Sequence, residues 1–168
     1  MTRLSPVAVL GLLLSFSSSI TSADAAASST SRGKYLVSVA GCEDCHTPGS
    51  MLGKRDTSKT LGGSEVGFEV PGLGVFVGPN LTPDKKTGLG DWSVQQIVTA
   101  IRTGVRPDGR QLAPVMPYEG FAVLSDADAK SIALYLKSLR PIDNKVAGPF
   151  GVSEKVTTFT MKVVPPAP

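Results

Sequence analysis

Hydrophobic side chains recur at the spacing of an amphipathic helix in three stretches of the chain. The first covers residues 31–41, the second follows Ser93 and stops at Gly104, and the third follows Ser125 and stops at Pro141. Each serine is followed three residues later by Gln or Asp, the pattern of a helix start, and Gly and Pro are common helix stops. We therefore predict three helices that pack their apolar stripes together. The apolar positions are Tyr35, Leu36 and Val39, then Val94, Ile97, Val98 and Ile101, and last Ile132, Tyr135, Leu136 and Leu139.

The segments between the predicted helices are long and rich in turn-forming residues. The sequence contains 18 Gly and 13 Pro, and these residues favour turns and irregular loops. With 168 residues, of which 41% are hydrophobic, the chain is long enough for one compact domain. The pattern therefore predicts a few short helices connected by long loops around one core.

The two ends of the chain differ from its middle. Residues 1–25 begin with a positive charge, continue as an apolar stretch and finish in a small-x-small pattern, which is typical of a secretory signal peptide. The alternative is a retained anchor that would place the protein at a membrane, but Pro and Ser interrupt the stretch before about 20 apolar residues. We predict a signal peptide at 1–25, a central domain at 26–140 and a C-terminal arm at 141–168, with one strand within 156–163.

Charge and cysteine content exclude several classes of protein. Seventeen basic and 14 acidic residues give a net charge of +3, and no basic run could follow a nucleic-acid backbone. Two Cys and one His exclude a scaffold with several disulfides and a zinc site of four Cys or His ligands. They also exclude any centre that requires two histidines.

Both cysteines and the only histidine fall in one motif, Cys-x-x-Cys-His, formed by Cys42, Cys45 and His46. This motif is the signature of covalent c-type haem attachment. Thiols three residues apart on a helical turn reach the two vinyl groups on one porphyrin edge, and the next imidazole projects to the iron. A thioredoxin-like dithiol would need a βαβ context, which the glycine-rich sequence after the motif does not offer, and a zinc ion would find three ligands. We predict one haem c, bound through Cys42 and Cys45, with His46 on the iron.

A haem iron with one histidine ligand needs an explanation for its opposite face, where Met is a known ligand. Met51 lies five residues after His46, too close to loop round the macrocycle, and Met161 lies in the C-terminal arm. Met116 lies 70 residues after His46, and two prolines stiffen its segment. We predict Met116 as the second axial ligand; the alternative is a core methionine that fills a gap.

The sequence resembles the small monohaem class I cytochromes c, especially those that act as cytochrome subunits or partners of bacterial periplasmic alcohol, aldehyde and related dehydrogenases. The resemblance covers about residues 32–140 and rests on several motifs in the family's order. It implies an all-α cytochrome c fold, with three or more short helices and long loops wrapped round one covalent haem. Residues 66–77 and the arm after Pro141 depart from the compact members of the family. The matching motifs lie at residues 41–47, 78–84, 87–93, 100–104, 107–110 and 114–118.

The resemblance also implies roles for three further residues. The carbonyl of Pro79 accepts the free N–H of His46 and fixes the orientation of the imidazole, as the partners of metal ligands do. Trp92 and Arg110 face a haem propionate as hydrogen-bond donors. A core aromatic for Trp92 and a solvated turn charge for Arg110 are the open alternatives.

We interpret the chain as a one-electron carrier and not as an enzyme. A His/Met ligand pair and an apolar pocket favour ferrous iron and raise the reduction potential. The resemblance implies a periplasmic location, a periplasmic dehydrogenase as electron donor, and a terminal oxidase or another haem protein as acceptor. Two alternatives stay open: an iron site open for catalysis or gas sensing if Met116 does not bind, and a fixed subunit of a larger dehydrogenase.

Overall fold

A computed structural model describes residues 22–164 and 166 of the chain. The helices are α1 (Ser22–Val39), α2 (Cys42–His46), α3 (Val94–Thr103), α4 (Tyr118–Phe121) and α5 (Asp126–Ser138), with one 3-10 turn at Thr57–Lys59; the strands are β1 (Val66–Val70), β2 (Gly74–Val77) and β3 (Phe159–Met161). Of the predicted signal peptide, residues 1–21 lie outside the described residues, and residues 22–25 begin α1. No helix in the described part of the chain is both long and apolar enough to cross a membrane.

Helices α3 and α5 begin at the serines that the sequence predicted. The Ser93 hydroxyl accepts a hydrogen bond from the Gln96 backbone N–H at 3.1 Å, and the Gln96 side chain accepts one from the Ser93 N–H at 2.8 Å. These two bonds form a complete capping box. The Ser125 hydroxyl accepts from the Asp128 N–H at 3.1 Å in the same way. Helix α3 also stops at Gly104, as predicted.

Helix α1 differs from the prediction at both ends. It begins at residue 22 instead of 31, because residues 22–30 are mostly Ala and Ser, and Ala favours a helix most strongly. It ends at Val39, and Gly41, with a φ of 66° in the left-handed region, turns the chain into α2. Helix α1 also approaches α5 closely, since a Cβ at Gly33 would lie 2.0 Å from the Ser131 carbonyl oxygen.

The hydrophobic core lies where α1, α3 and α5 pack together, which removes much of their apolar surface from water. On α1 the predicted stripe is only partly correct: Val37 and Leu36 pack in this core, whereas Tyr35 and Val39 are 57% and 67% exposed. Lys137 of α5 connects this core to the loop before α3. Its ammonium donates to the carbonyl oxygens of Leu89 at 3.2 Å, Gly90 at 2.8 Å and Trp92 at 3.0 Å. The Trp92 loop is therefore fixed to α5. The buried core residues are Val37, Leu61, Leu89, Ile97, Val98, Ala129, Ile132, Ala133 and Leu136.

A small sheet with the strand order β2-β1-β3 corrects the expectation of an all-α fold. Strands β1 and β2 form an antiparallel hairpin in which Phe68 pairs with Phe76, and β3 pairs with β1 in parallel. The strand predicted within residues 156–163 is confirmed as β3. Residues 66–77 and the C-terminal arm, the two segments that the resemblance sets apart, are thus joined through β1 and β3.

Candidate functional site

Helix α2 consists of the five residues of the Cys-x-x-Cys-His motif and follows α1 after one turn. Cys42 and Cys45 are free, half-buried thiols. Burial raises the pKa of Cys42 to about 11, and burial, followed by the charge of Asp44, raises the pKa of Cys45. Both thiols are therefore neutral near pH 7, whereas a redox-active dithiol lowers the pKa of its attacking cysteine. This environment disfavours the thioredoxin-like alternative.

Arg55 binds the two residues between the cysteines. Its Nη1 donates to Glu43 Oε2 at 2.8 Å, its Nη2 donates to Asp44 Oδ1 at 2.8 Å, and its Nε donates to Ser50 Oγ at 3.0 Å. Because the Arg55 side chain is 41% exposed, these ion pairs contribute little to the stability of the fold. Their effect is to fix the orientation of α2 against the loop that follows it.

His46 is almost completely buried, with 6% of its surface exposed. Its Nδ1 lies 2.8 Å from the Pro79 carbonyl oxygen, and since a carbonyl can only accept, Nδ1 carries the proton. Burial lowers the pKa of His46, and the hydrogen bond to Pro79 opposes this shift. The neutral ring therefore presents Nε2 as the unprotonated nitrogen, the form that ligates a metal.

The carbonyl that His46 contacts can approach the ring because glycine precedes it. A Cβ at Gly78 would lie 1.8 Å from the Cys45 carbonyl oxygen and 3.4 Å from His46 Nδ1. On the neighbouring segment, the Gly63 N–H donates to the His46 carbonyl at 2.8 Å, and the Ser64 N–H donates to the Gly78 carbonyl at 2.9 Å. The loops around residues 63 and 78 thus hold His46 between them.

Met116 is half-buried in the loop before α4. The Met116 N–H donates to the Ala113 carbonyl at 2.9 Å, and the Tyr118 N–H donates to the Met116 carbonyl at 2.8 Å. The Tyr118 ring packs on the end of α3, since a Cβ at Gly104 would lie 2.8 Å from it. The methionine loop is therefore anchored to the helical core. It borders a hollow of about 110 Å³ lined by Pro114, Met116, Pro117, Tyr118 and Glu119.

The structure places Arg106, and not Arg110, against Trp92. The Arg106 guanidinium carbon lies 5.2 Å from the centroid of the Trp92 ring, a cation–π contact. The buried Arg106 Nε lies 3.4 Å from Asp108 Oδ1 but makes no hydrogen bond with the described residues. Arg110 is 61% exposed, and its Nε and Nη2 donate to Asp108 at 2.9 and 2.8 Å.

Arg106 is a candidate residue that the sequence analysis missed. Its sequence signal is its place two residues after the Gly104 helix stop. There it starts a turn in which the Arg106 N–H donates to the Arg110 carbonyl at 2.9 Å. The sequence alone does not show which arginine of this turn faces Trp92. The role predicted for Arg110 stays a prediction.

The residues of the site fit a covalent haem. They include two neutral thiols on one helical turn, a buried imidazole whose Nε2 can ligate a metal, and a thioether in an anchored loop. Within residues 22–164 and 166, no group of three or more His, Cys, Asp and Glu side chains could hold a metal ion.

Comparison with known proteins identifies the family, because residues 30–140 match the family described as Cytochrome c. The chain is 38% identical over 124 residues to the fructose dehydrogenase cytochrome subunit of Gluconobacter japonicus, covering 73% of this chain and 24% of that protein. It is 32% identical over 112 residues to the cytochrome c subunit of the quinone alcohol dehydrogenase of Gluconobacter oxydans, covering 66% and 22%. It is 38% identical over 113 residues to a diheme cytochrome c-type protein of Cereibacter sphaeroides, covering 67% and 37%.

The chain belongs to the cytochrome c family. The prediction of an electron-transfer haem protein, and of a carrier instead of an enzyme, is confirmed at the level of this family. Family membership also implies a covalent haem c. The chain spans between 22% and 37% of the length of these three relatives.

Gly78→Ala is expected to displace the Pro79 carbonyl from His46, because a methyl group cannot lie 1.8 Å from the Cys45 oxygen. Forcing extra atoms into a packed site costs about 1–3 kcal/mol. We therefore expect urea unfolding to show a loss of about 2 kcal/mol in the free energy of unfolding. Gly151→Ala is the control, since its nearest neighbour would lie 3.7 Å away. Equal stability of the two variants would contradict the close approach at Gly78.

Proposed function

We propose that this chain is a periplasmic monohaem cytochrome c that carries one electron at a time from a dehydrogenase to an oxidase or another haem protein. The observation that carries the proposal is the buried imidazole of His46, whose Nδ1 lies 2.8 Å from the Pro79 carbonyl oxygen. In the sequence His46 directly follows Cys45, and both Cys42 and Cys45 are free thiols. A single Cys-x-x-Cys-His motif in the sequence supports one haem.

Each site residue has a separate role in this proposal. Cys42 and Cys45 attach the haem through thioether bonds, and His46 Nε2 and Met116 Sδ ligate the iron. The Pro79 carbonyl keeps the imidazole in one tautomer and one orientation. When bound, the haem supplies the one-electron couple between ferric and ferrous iron.

The anchoring of both ligand loops supports an electron carrier over an open iron site. His46 is held through its ring and its backbone, and the Met116 loop is held through Tyr118 and α3. Fixed ligands mean that little rearranges when the oxidation state changes. A thioether ligand and a buried site also favour ferrous iron, so the reduction potential is raised.

The names of the relatives support a dehydrogenase as electron donor, since two of them are cytochrome subunits of a fructose and an alcohol dehydrogenase. A free carrier makes small, transient contacts with its partners, and its net charge of +3 steers their encounter. A fixed subunit would instead co-purify with the dehydrogenase.

Arg106 and Trp92 are the side chains that we assign to a haem propionate. The Arg106 Nε is buried and lacks a hydrogen bond to the described residues, and its guanidinium stacks on Trp92. The ion pair of Arg106 Nε with Asp108 Oδ1, at 3.4 Å, does not form a hydrogen bond, and a propionate oxygen would supply the bond that the buried Nε lacks. Arg110, bound to Asp108, has less need of such a partner.

Carbon monoxide tests the ligation by Met116. The reduced protein is expected to show a low-spin, six-coordinate absorption spectrum that carbon monoxide leaves unchanged, because Met116 blocks the iron. Met116→Ala is expected to bind carbon monoxide, and Met51→Ala, a control at a side chain that is 37% exposed, is not. Binding by the unaltered protein would overturn the His/Met assignment and favour an open iron site.

Arg106→Gln is expected to lower the midpoint potential, because removing a positive charge beside the haem stabilises the ferric state. Arg110→Gln removes the same charge from a side chain that is 61% exposed, where water and salt screen it. Redox titration should therefore show a clearly larger decrease for Arg106→Gln. Equal shifts, or a larger one for Arg110→Gln, would return the propionate role to Arg110.

A further inference from the structure

The first part of the C-terminal arm lies as an extended chain against the loops around His46. Ile142, Asn144 and Val146 are half-buried, whereas Asp143 and Lys145 between them are exposed. This alternation is that of an extended chain with one face against the protein. The inward face of residues 142–146 therefore contacts the body of the protein directly.

The main contact of this segment is Asn80, the residue after the carbonyl that binds His46. Asn80 is 2% exposed, and its Nδ2 donates to the Ile142 carbonyl at 2.7 Å and to Thr87 Oγ1 at 2.9 Å. Its Oδ1 accepts from the Thr82 N–H at 2.9 Å and from Thr82 Oγ1 at 2.7 Å. Both donors and both acceptor positions of the Asn80 amide are in use.

The arm donates hydrogen bonds to the same network. The Ile142 N–H donates to Thr82 Oγ1 at 3.1 Å, and the Asn144 N–H donates to Thr87 Oγ1 at 3.1 Å. The Asn144 side chain donates through Nδ2 to the Gly62 carbonyl at 2.7 Å. The arm thus connects the loop that contains Asn80 to the loop that contains Gly62.

The loop that contains Gly62 continues into Gly63, which binds the backbone of His46. The Gly63 N–H donates to the His46 carbonyl at 2.8 Å. A Cβ at Gly63 would lie 2.2 Å from Val146 Cγ2, and its φ of 101° also favours glycine. Residues 142–146 therefore contact both segments that hold the histidine.

We propose that residues 142–146 act as a positioning strap that sets the electron donation from His46 to the iron. By holding Asn80, the strap keeps the adjacent Pro79 carbonyl on the Nδ1–H of His46. This inference rests on the proposed function, since it requires a haem iron on Nε2. A stronger hydrogen bond from Nδ1–H makes Nε2 a better donor and favours ferric iron, so loosening the strap raises the reduction potential.

Two substitutions loosen the strap from opposite sides without changing the charge. Thr82→Val replaces the hydroxyl between Ile142 and Asn80 by a methyl group of similar size, and Asn144→Ala removes the bond to Gly62. At a fixed potential, each is expected to shift the ratio of ferrous to ferric iron at least threefold toward ferrous. This corresponds to a reduction potential about 28 mV higher, since a tenfold change in the ratio corresponds to 59 mV. In NMR spectra of the reduced protein, the His46 Nδ1 proton is expected to exchange faster with solvent. Thr82→Ser keeps the hydroxyl and is expected to restore both values.

Val75→Ala is the control for a merely structural role, because it removes buried packing from β2, outside the strap, and leaves the hydrogen bonds of residues 142–146 in place. It is expected to lower the stability and leave the potential unchanged. If Thr82→Val and Asn144→Ala behave like this control, the strap proposal is overturned while the cytochrome function stands. If the unaltered protein shows no c-type haem spectrum, the proposed function itself fails, and the strap role fails with it.

Discussion

The hydrogen bond from His46 Nδ1 to the Pro79 carbonyl, 2.8 Å long, joins two segments that are 33 residues apart in sequence. A buried imidazole requires such a partner, and the partner decides which ring nitrogen is left for a metal. The close contact at Gly78, the bond from Gly63 and the contact of the arm with Asn80 all lie around this hydrogen bond. Helix α2 then places two thiols beside the oriented ring.

Rigidity in this protein comes from loops as much as from helices. The core of α1, α3 and α5 supplies a base, and Lys137 and Tyr118 connect the Trp92 and Met116 loops to it. Around His46, the fully hydrogen-bonded side-chain amide of Asn80 connects the loops in the way that backbone hydrogen bonds connect regular secondary structure. Such a scaffold suits one-electron transfer, in which the ligands of the iron stay in place.

Local signals were sufficient for part of the fold and of the site. Ser93 and Ser125 predicted two helix starts because capping is decided within one turn. The Cys-x-x-Cys-His motif located His46 because its residues also lie on a single short helix. The pairing of β3 with β1 was missed because it spans a long separation, with Phe159 opposite Val66. The contact of Arg106 with Trp92 also depends on how distant segments pack, which no local pattern records.

The most direct test of the central claim is the intact mass of the purified, unfolded protein, together with a count of thiols that can be alkylated after reduction. We predict the mass of one haem added to each chain and no thiol that reacts, because Cys42 and Cys45 both form thioether bonds. Two reactive thiols on a chain without haem would contradict the attachment site and the electron-transfer role built on it.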